Sequence, residues 1–387
     1  MTDNQAFPNR LVLQGVPKIG FYSGGPLCPE DLPLPAVMHA LADYLDDPDF
    51  GCNKCKNKHP NCMISCTYSF FTGITGAAFF LSWKEGWHDD NVAAFYLDAD
   101  PAAMEKNAFK ALGYSFELVM PKAGGSNQEH YFPRIVESLQ RGLPVVSYGI
   151  IGPPEAGLIT GYDEGGEVLI GWNFFQGSEP GLEFEPSGYY RKRNWANDAQ
   201  SGLLIIGKKQ PKPALKETFR SALEFGLKVN RTPMVHPEPD APEEFQHRHN
   251  GLAAYTAWAN QLLRAEDFPA GDEAALRQHY QVHDNVLGIL AEARWYGSQF
   301  FLDMTEHVDV HVHRNAIEDV LHAAALYAGE HELMWYLWDL AGGIGNPEGY
   351  KHFADPAVRE KMVKIILQAG EKDARAVEHL ESALAKW

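Results

Sequence analysis

Residues 208–213, KKQPKP, separate two different hydrophobic rhythms. Before them the chain is rich in Gly, Pro, aromatic residues and short β-like runs. After them, apolar residues recur at helical spacing. A pattern with one of these periods does not settle into the other kind of element. We therefore expect two domains: an α+β domain over residues 1–207, a linker at 208–213, and an all-α helical bundle over 214–387. A chain of 387 residues is long enough to bury two cores.

Within the first part, a helix is expected near Pro35, because proline in the first turn loses no hydrogen bond. CTYSFFTGITGAAFFLSW reads as a buried helix whose two small glycines permit close packing. Residues 101–112 and 131–141 read as helices stopped by Gly113 and Gly142. Strands are expected at 114–120, 144–148, 156–160, 167–172 and 202–207. In the second part, helices are expected near 214–229, 252–264, 274–305, 315–340 and 356–386, with a Pro- and acid-rich loop at 232–244.

A formal net charge of −18 and the lack of a Lys/Arg stripe argue against a nucleic-acid partner. No apolar run is long enough for a membrane span, and MTDNQAFPNR does not read as a signal peptide. We expect a cytoplasmic protein with no membrane partner, and self-association stays open. Four of the five cysteines crowd into CNKCKNKHPNCMISC. A CxxC pair supplies two ligands at zinc-binding separation. Cys52, Cys55, His59, Cys62 and Cys66 are the candidate ligands of a structural zinc, and free or disulfide-bonded thiols are the alternative. No organic cofactor is expected.

Two thiols are candidates for nucleophilic chemistry. Cys28, in GGPLCPEDLPLP, stands ahead of the first expected helix, and a helix N-terminus favours a thiolate. Cys66 opens the aromatic run CTYSFF. The residues alone leave open whether either attacks. His307, His311 and His313 lie in HVDVHVH, where the first pair could share a helix face; with His236, His247 and His249 we read them as solvated or capping. Trp295, Tyr296, Trp335, Tyr336 and Trp338 recur at core spacing and read as packing.

Residues 150–175, IIGPPEAGLITGYDEGGEVLIGWNFF, carry a strand, a Gly-Tyr, a turn and a second strand ending in Asn173. Together with CPEDLPLPAVMHALADYL, FFTGITGAAFFLSW, RGLPVVSYG and the closing GYYRKRNW and GLLIIG, they form an ordered set. This set resembles the N-terminal domain of the butirosin-biosynthesis H protein family, within the C39-peptidase-like, papain-fold group. The resemblance covers about residues 17–207 and implies a papain-like domain with a Cys-His-Asp/Asn constellation. The family's named member transfers an acyl group from a carrier protein to an aminoglycoside. Carried over, Cys28 matches the nucleophile and Asn173 the orienting residue. The histidine position, six residues before Gly161, holds Glu155. The resemblance implies a papain-fold relative that binds an amide- or ester-containing small molecule or peptide in its cleft. An acyl-carrier-like donor is a further expected partner. The chemistry would be acyl transfer or amide hydrolysis by a modified constellation, with a catalytically inactive binding or scaffold protein as the alternative. A carboxylate in an apolar pocket can serve as acid or base.

Overall fold

The computed structural model describes residues 7–18, 32–45, 66–92, 100, 102–122, 127–196, 202–235, 248–269, 271–307 and 310–387. The fold is α+β, with an antiparallel sheet and a helical C-terminal region. It divides into two compact units. Unit 1 comprises Met1–Phe71 and Ala108–Pro213; unit 2 comprises Thr72–Asn107 and Ala214–Trp387. The second unit is thus discontinuous in sequence. Residues 72–107, placed in the first domain by the sequence reading, group with the C-terminal helices.

In chain order the elements begin with β1 (Leu11–Val12), α1 (Pro33–Tyr44), α2 (Cys66–Ile74), β2 (Ser82–Lys84), α3 (Ala103–Leu112) and β3 (Tyr114–Val119). They continue through α4 (Asn127–Gln140), β4 (Val145–Tyr148), β5 (Ala156–Asp163), β6 (Val168–Trp172), β7 (Glu183–Phe184), β8 (Tyr190–Arg193) and β9 (Gly202–Lys209). The remainder are α5 (Leu215–Arg231), β10 (Met234–Val235), β11 (Arg248–Asn250), α6 (Leu252–Leu262), α7 (Glu273–His307), α8 (Val310–Leu340), α9 (Gly349–Phe353) and α10 (Pro356–Lys386).

Unit 1 is built on an antiparallel sheet of order β3-β9-β4-β5-β6-β8-β7, with β1 also pairing with β5. Alternate side chains of its strands face opposite ways. Val145, Ile159, Leu203 and Ile205 belong to a core shared with Tyr131, Ile135, Val136 and Leu139 of α4. Leu204 and Ile206 are equally buried at the alternate positions of β9, so the LLII run is covered on both faces, as its unbroken apolar character implies. α1 packs against β5, with Leu34, Val37, Met38 and Leu41 buried. Pro33 occupies its first turn, two residues before the expected start. β5 runs on through Gly161-Tyr162 rather than ending there. A Cβ on Gly161 would lie 2.6 Å from the Leu11 carbonyl oxygen, so glycine is what lets β1 cross there.

Unit 2 is mostly helical, with a three-stranded sheet of order β10-β11-β2. α8 packs along α7 and α10, and α10 also packs on α6. The expected single buried helix over CTYSFFTGITGAAFFLSW is shorter than its apolar run. α2 stops at Ile74, Gly76 adopts φ +84°, and the closing residues form β2. The expected close packing occurs at Gly73, where a Cβ would fall 2.3 Å from Phe300 Cγ. The residues expected as linker begin as strand, because β9 extends to Lys209. Among the described residues, no helix is long and apolar enough to cross a membrane.

Candidate functional site

The β5–β6 pair positions the candidate site. Leu158 stands opposite Trp172, so Glu155, just before β5, and Asn173, just after β6, flank the same end of the pair. A Cβ on Gly157 would lie 2.9 Å from Asn173 Nδ2, which places the asparagine amide beside the strand that Glu155 enters. The opposite end of the pair is fixed by charge. Arg10 and Arg191 bond Asp163 at 2.7 and 3.0 Å, and both also bond Glu185. Burial works against the Asp163 carboxylate. The Glu164 backbone N–H and the two arginines outweigh it and hold its pKa below the usual value.

Glu155 is half-buried. Burial pushes its pKa up from 4.5 to about 7, and no hydrogen bond or ion pair among the described residues opposes that shift. At neutral pH this carboxyl is divided between its two protonation states, as an acid–base group requires. Asn173 is buried, and its side chain is engaged. Its Oδ1 accepts the Phe175 N–H at 2.7 Å, while Gln176 Oε1 accepts the Asn173 N–H at 3.3 Å. This reciprocal cap secures the short turn Phe174–Gly177. The oxygen that would orient a base is therefore held by the backbone, the strand-end role open to an asparagine in this position.

Cys28, Cys52, Cys55, His59 and Cys62 lie outside the described residues, as do His236 and His247. Cys66 opens α2, and its side chain lies outside what is described. Among the described residues no group of three or more His, Cys, Asp or Glu side chains could hold a metal. A surface pocket lined by Glu179, Glu183, Arg191 and Lys192 offers no unspent charge, since Lys192 pairs with Glu179 and Arg191 with Glu183 and Glu185.

Sequence reasoning missed a second polar centre, inside unit 2. Arg294 of α7, Glu330 of α8 and Asp373 of α10 are each 0% exposed. Arg294 bonds Glu330 at 3.1 Å, Asp373 at 2.7 Å and the Ala78 carbonyl at 2.6 Å. Tyr255 of α6 donates to Glu330 and stands 3.0 Å from Asp373. Burial raises the Glu330 pKa to about 8, with Arg294 opposing it. Burial alone would lower the Arg294 pKa, but the two carboxylates hold it well above its usual value. The signal was available: each charge occupies a position in an otherwise apolar helical stripe, such as Leu287, Leu290, Arg294 and Phe301.

No family model and no curated protein matches the chain. The functional reading therefore rests on the geometry of unit 1 and on the sequence resemblance.

Proposed function

We propose that unit 1 is a papain-like domain of the butirosin-biosynthesis H type that binds an amide- or ester-containing small molecule or peptide at the Glu155 end of β5 and β6. Glu155 acts there as the acid–base group in place of histidine, and acyl transfer or amide hydrolysis is the chemistry it serves. One observation carries this reading: a half-buried carboxyl whose pKa is raised to about 7 stands immediately before β5. A carboxylate of ordinary pKa is a poor base near neutrality, and desolvation corrects that mismatch. Cys28 remains the nucleophile proposed from the resemblance.

The test is turnover of simple acyl thioesters and esters by the full chain, measured against pH. We expect activity to follow an ionisation near pH 7 and to fall by about 100-fold or more in Glu155→Gln, consistent with loss of a general acid–base group. Cys28→Ser should lose turnover as well. Unchanged rates and an unchanged pH profile in Glu155→Gln would remove the carboxyl from the chemistry.

A second reading, a binding protein without catalysis, is favoured by Asn173, whose Oδ1 caps its own turn. On that reading ligand binding persists in Cys28→Ser, and the wild-type chain turns over no acyl substrate.

A further inference from the structure

Asn173 is 2% exposed, and the two polar atoms of its side chain are used differently. Oδ1 accepts the Phe175 N–H at 2.7 Å, which assigns the other branch of the amide to Nδ2. Among the described residues, no acceptor receives either Nδ2 hydrogen. The cap also fixes where this donor points. With Oδ1 turned back on Phe175 and the Asn173 backbone N–H held by Gln176 Oε1, the amide keeps one orientation. Nδ2 lies over β5, where a Cβ on Gly157 would stand 2.9 Å from it and 3.1 Å from the Trp172 carbonyl oxygen. Glycine at 157 is therefore what admits the amide to this place.

A buried N–H2 group without an acceptor opposes folding, because water satisfies both hydrogens in the unfolded chain. A turn that needed only its cap would be served by aspartate or serine, which accept the same N–H and bring no unmatched amide donor. The surroundings indicate a purpose for the surplus donor. Pro154, Glu155, Trp172 and Phe175, at this end of the sheet, are half-buried rather than sealed in. Glu155 lies two residues before Gly157, so the acid–base carboxyl and the unmatched amide share one end of the β5–β6 pair.

An amide nitrogen donates only, so its partner must be an acceptor. The acyl oxygen of an ester, thioester or amide is such a group. When a nucleophile bonds to the acyl carbon, the C=O π bond breaks and its electron pair moves onto that oxygen. A donor already fixed in a water-poor site stabilises the growing charge without reorienting. We propose that Asn173 Nδ2 binds the acyl oxygen of the substrate beside Glu155, as a catalytic donor instead of the orienter of a base. This assignment rests on the acid–base reading of Glu155.

The test compares turnover of an acyl ester with that of its thiono analogue, in which sulfur replaces the acyl oxygen and accepts hydrogen bonds poorly. The full chain, Asn173→Asp and Asn173→Ser are measured side by side. Both replacements can cap the Phe175 N–H, and neither carries the N–H2 group, so both should melt close to the wild type. Each should lower kcat for the oxo ester by about 100-fold, the loss expected on removing one donor to a developing oxyanion. The wild-type preference for the oxo over the thiono ester should shrink in both by about tenfold or more. Folded variants that turn over the oxo ester at the wild-type rate, or that keep the full oxo preference, would overturn the assignment even where Glu155→Gln is inactive. Loss in the Asn173 variants with Glu155→Gln unaffected would support the donor and remove Glu155 as the acid–base group. A wild type that turns over neither ester would overturn both.

Discussion

Replacing Glu155 by glutamine removes one proton site from the fold and keeps its shape. The carboxyl binds its proton more tightly in the fold, where its pKa is about 7, than at its ordinary 4.5. The resulting stabilisation is complete below pH 4.5 and is lost as pH rises through about 7. Urea unfolding should show Glu155→Gln gaining on the wild type from pH 5 to pH 8 by on the order of 2 kcal/mol, a value reduced for its partial exposure. An offset independent of pH would contradict the burial argument. The cysteine motif yields a separate prediction. Elemental analysis of protein purified without chelator should find near-stoichiometric zinc, lost in Cys52→Ser/Cys55→Ser, and metal-free protein of unchanged melting temperature would count against it. At this scale the positions of Glu155 and Asn173 were legible, because a strand, a turn and a strand fix which residues meet at one end. The protonation state of Glu155 was not, since burial is set by residues far away in sequence. Asn173 was legible as the residue that ends the second strand, but its cap depends on Phe175 and Gln176 turning back on it.

Helices α6, α7, α8 and α10 are tied together by Tyr255, Arg294, Glu330 and Asp373. Arg294→Met would leave Asp373 buried without its cation and Glu330 without the donor it bonds. It should lower stability by ~3–5 kcal/mol, read from denaturant unfolding. The tie is also sensitive to rising pH. The pKa of Glu330 in the fold, about 8, lies above its ordinary 4.5, so the stability its proton contributes is lost as pH rises through about 8. The helical unit should melt progressively earlier from pH 5 to pH 8, and Glu330→Gln should flatten that slope. A wild-type slope no steeper than the variant's would remove Glu330 as its source. The long helices themselves were readable from apolar spacing, α10 to the residue. Their short companions were not. β2, β10 and β11 have three, two and three residues, too few to establish a period. The run before β2 is apolar throughout, and such a run does not distinguish buried helix from buried strand.

The grouping of residues 72–107 with the C-terminal helices has consequences for the whole chain. Trp83 and Trp87, with 0% and 7% exposure, share a core with Trp258, Leu287, Met334 and Phe353. Ala78 supplies a carbonyl to Arg294. A fragment of residues 214–387 lacks these groups, although it contains every long helix of the unit. We expect it to lose near-ultraviolet circular dichroism and cooperative melting, and to regain them when residues 72–107 are supplied by a linked fusion. A cooperative native-like melt of the fragment alone would show that the helices suffice. Cleavage within 208–213 should likewise leave two pieces that co-elute, since the N-terminal piece still carries part of the second core. Contiguous domains were the natural expectation from the change of rhythm at KKQPKP, because periodicity records local structure and carries no information about a long-range partner. During synthesis, the partners of Trp83 and Trp87 do not all exist until the last helix leaves the ribosome, about 280 residues after position 107. At typical elongation rates that interval is roughly a quarter of a minute to a minute. For its duration a tryptophan-rich apolar segment waits without its mates, which makes the nascent chain, rather than the finished protein, the natural client of a chaperone.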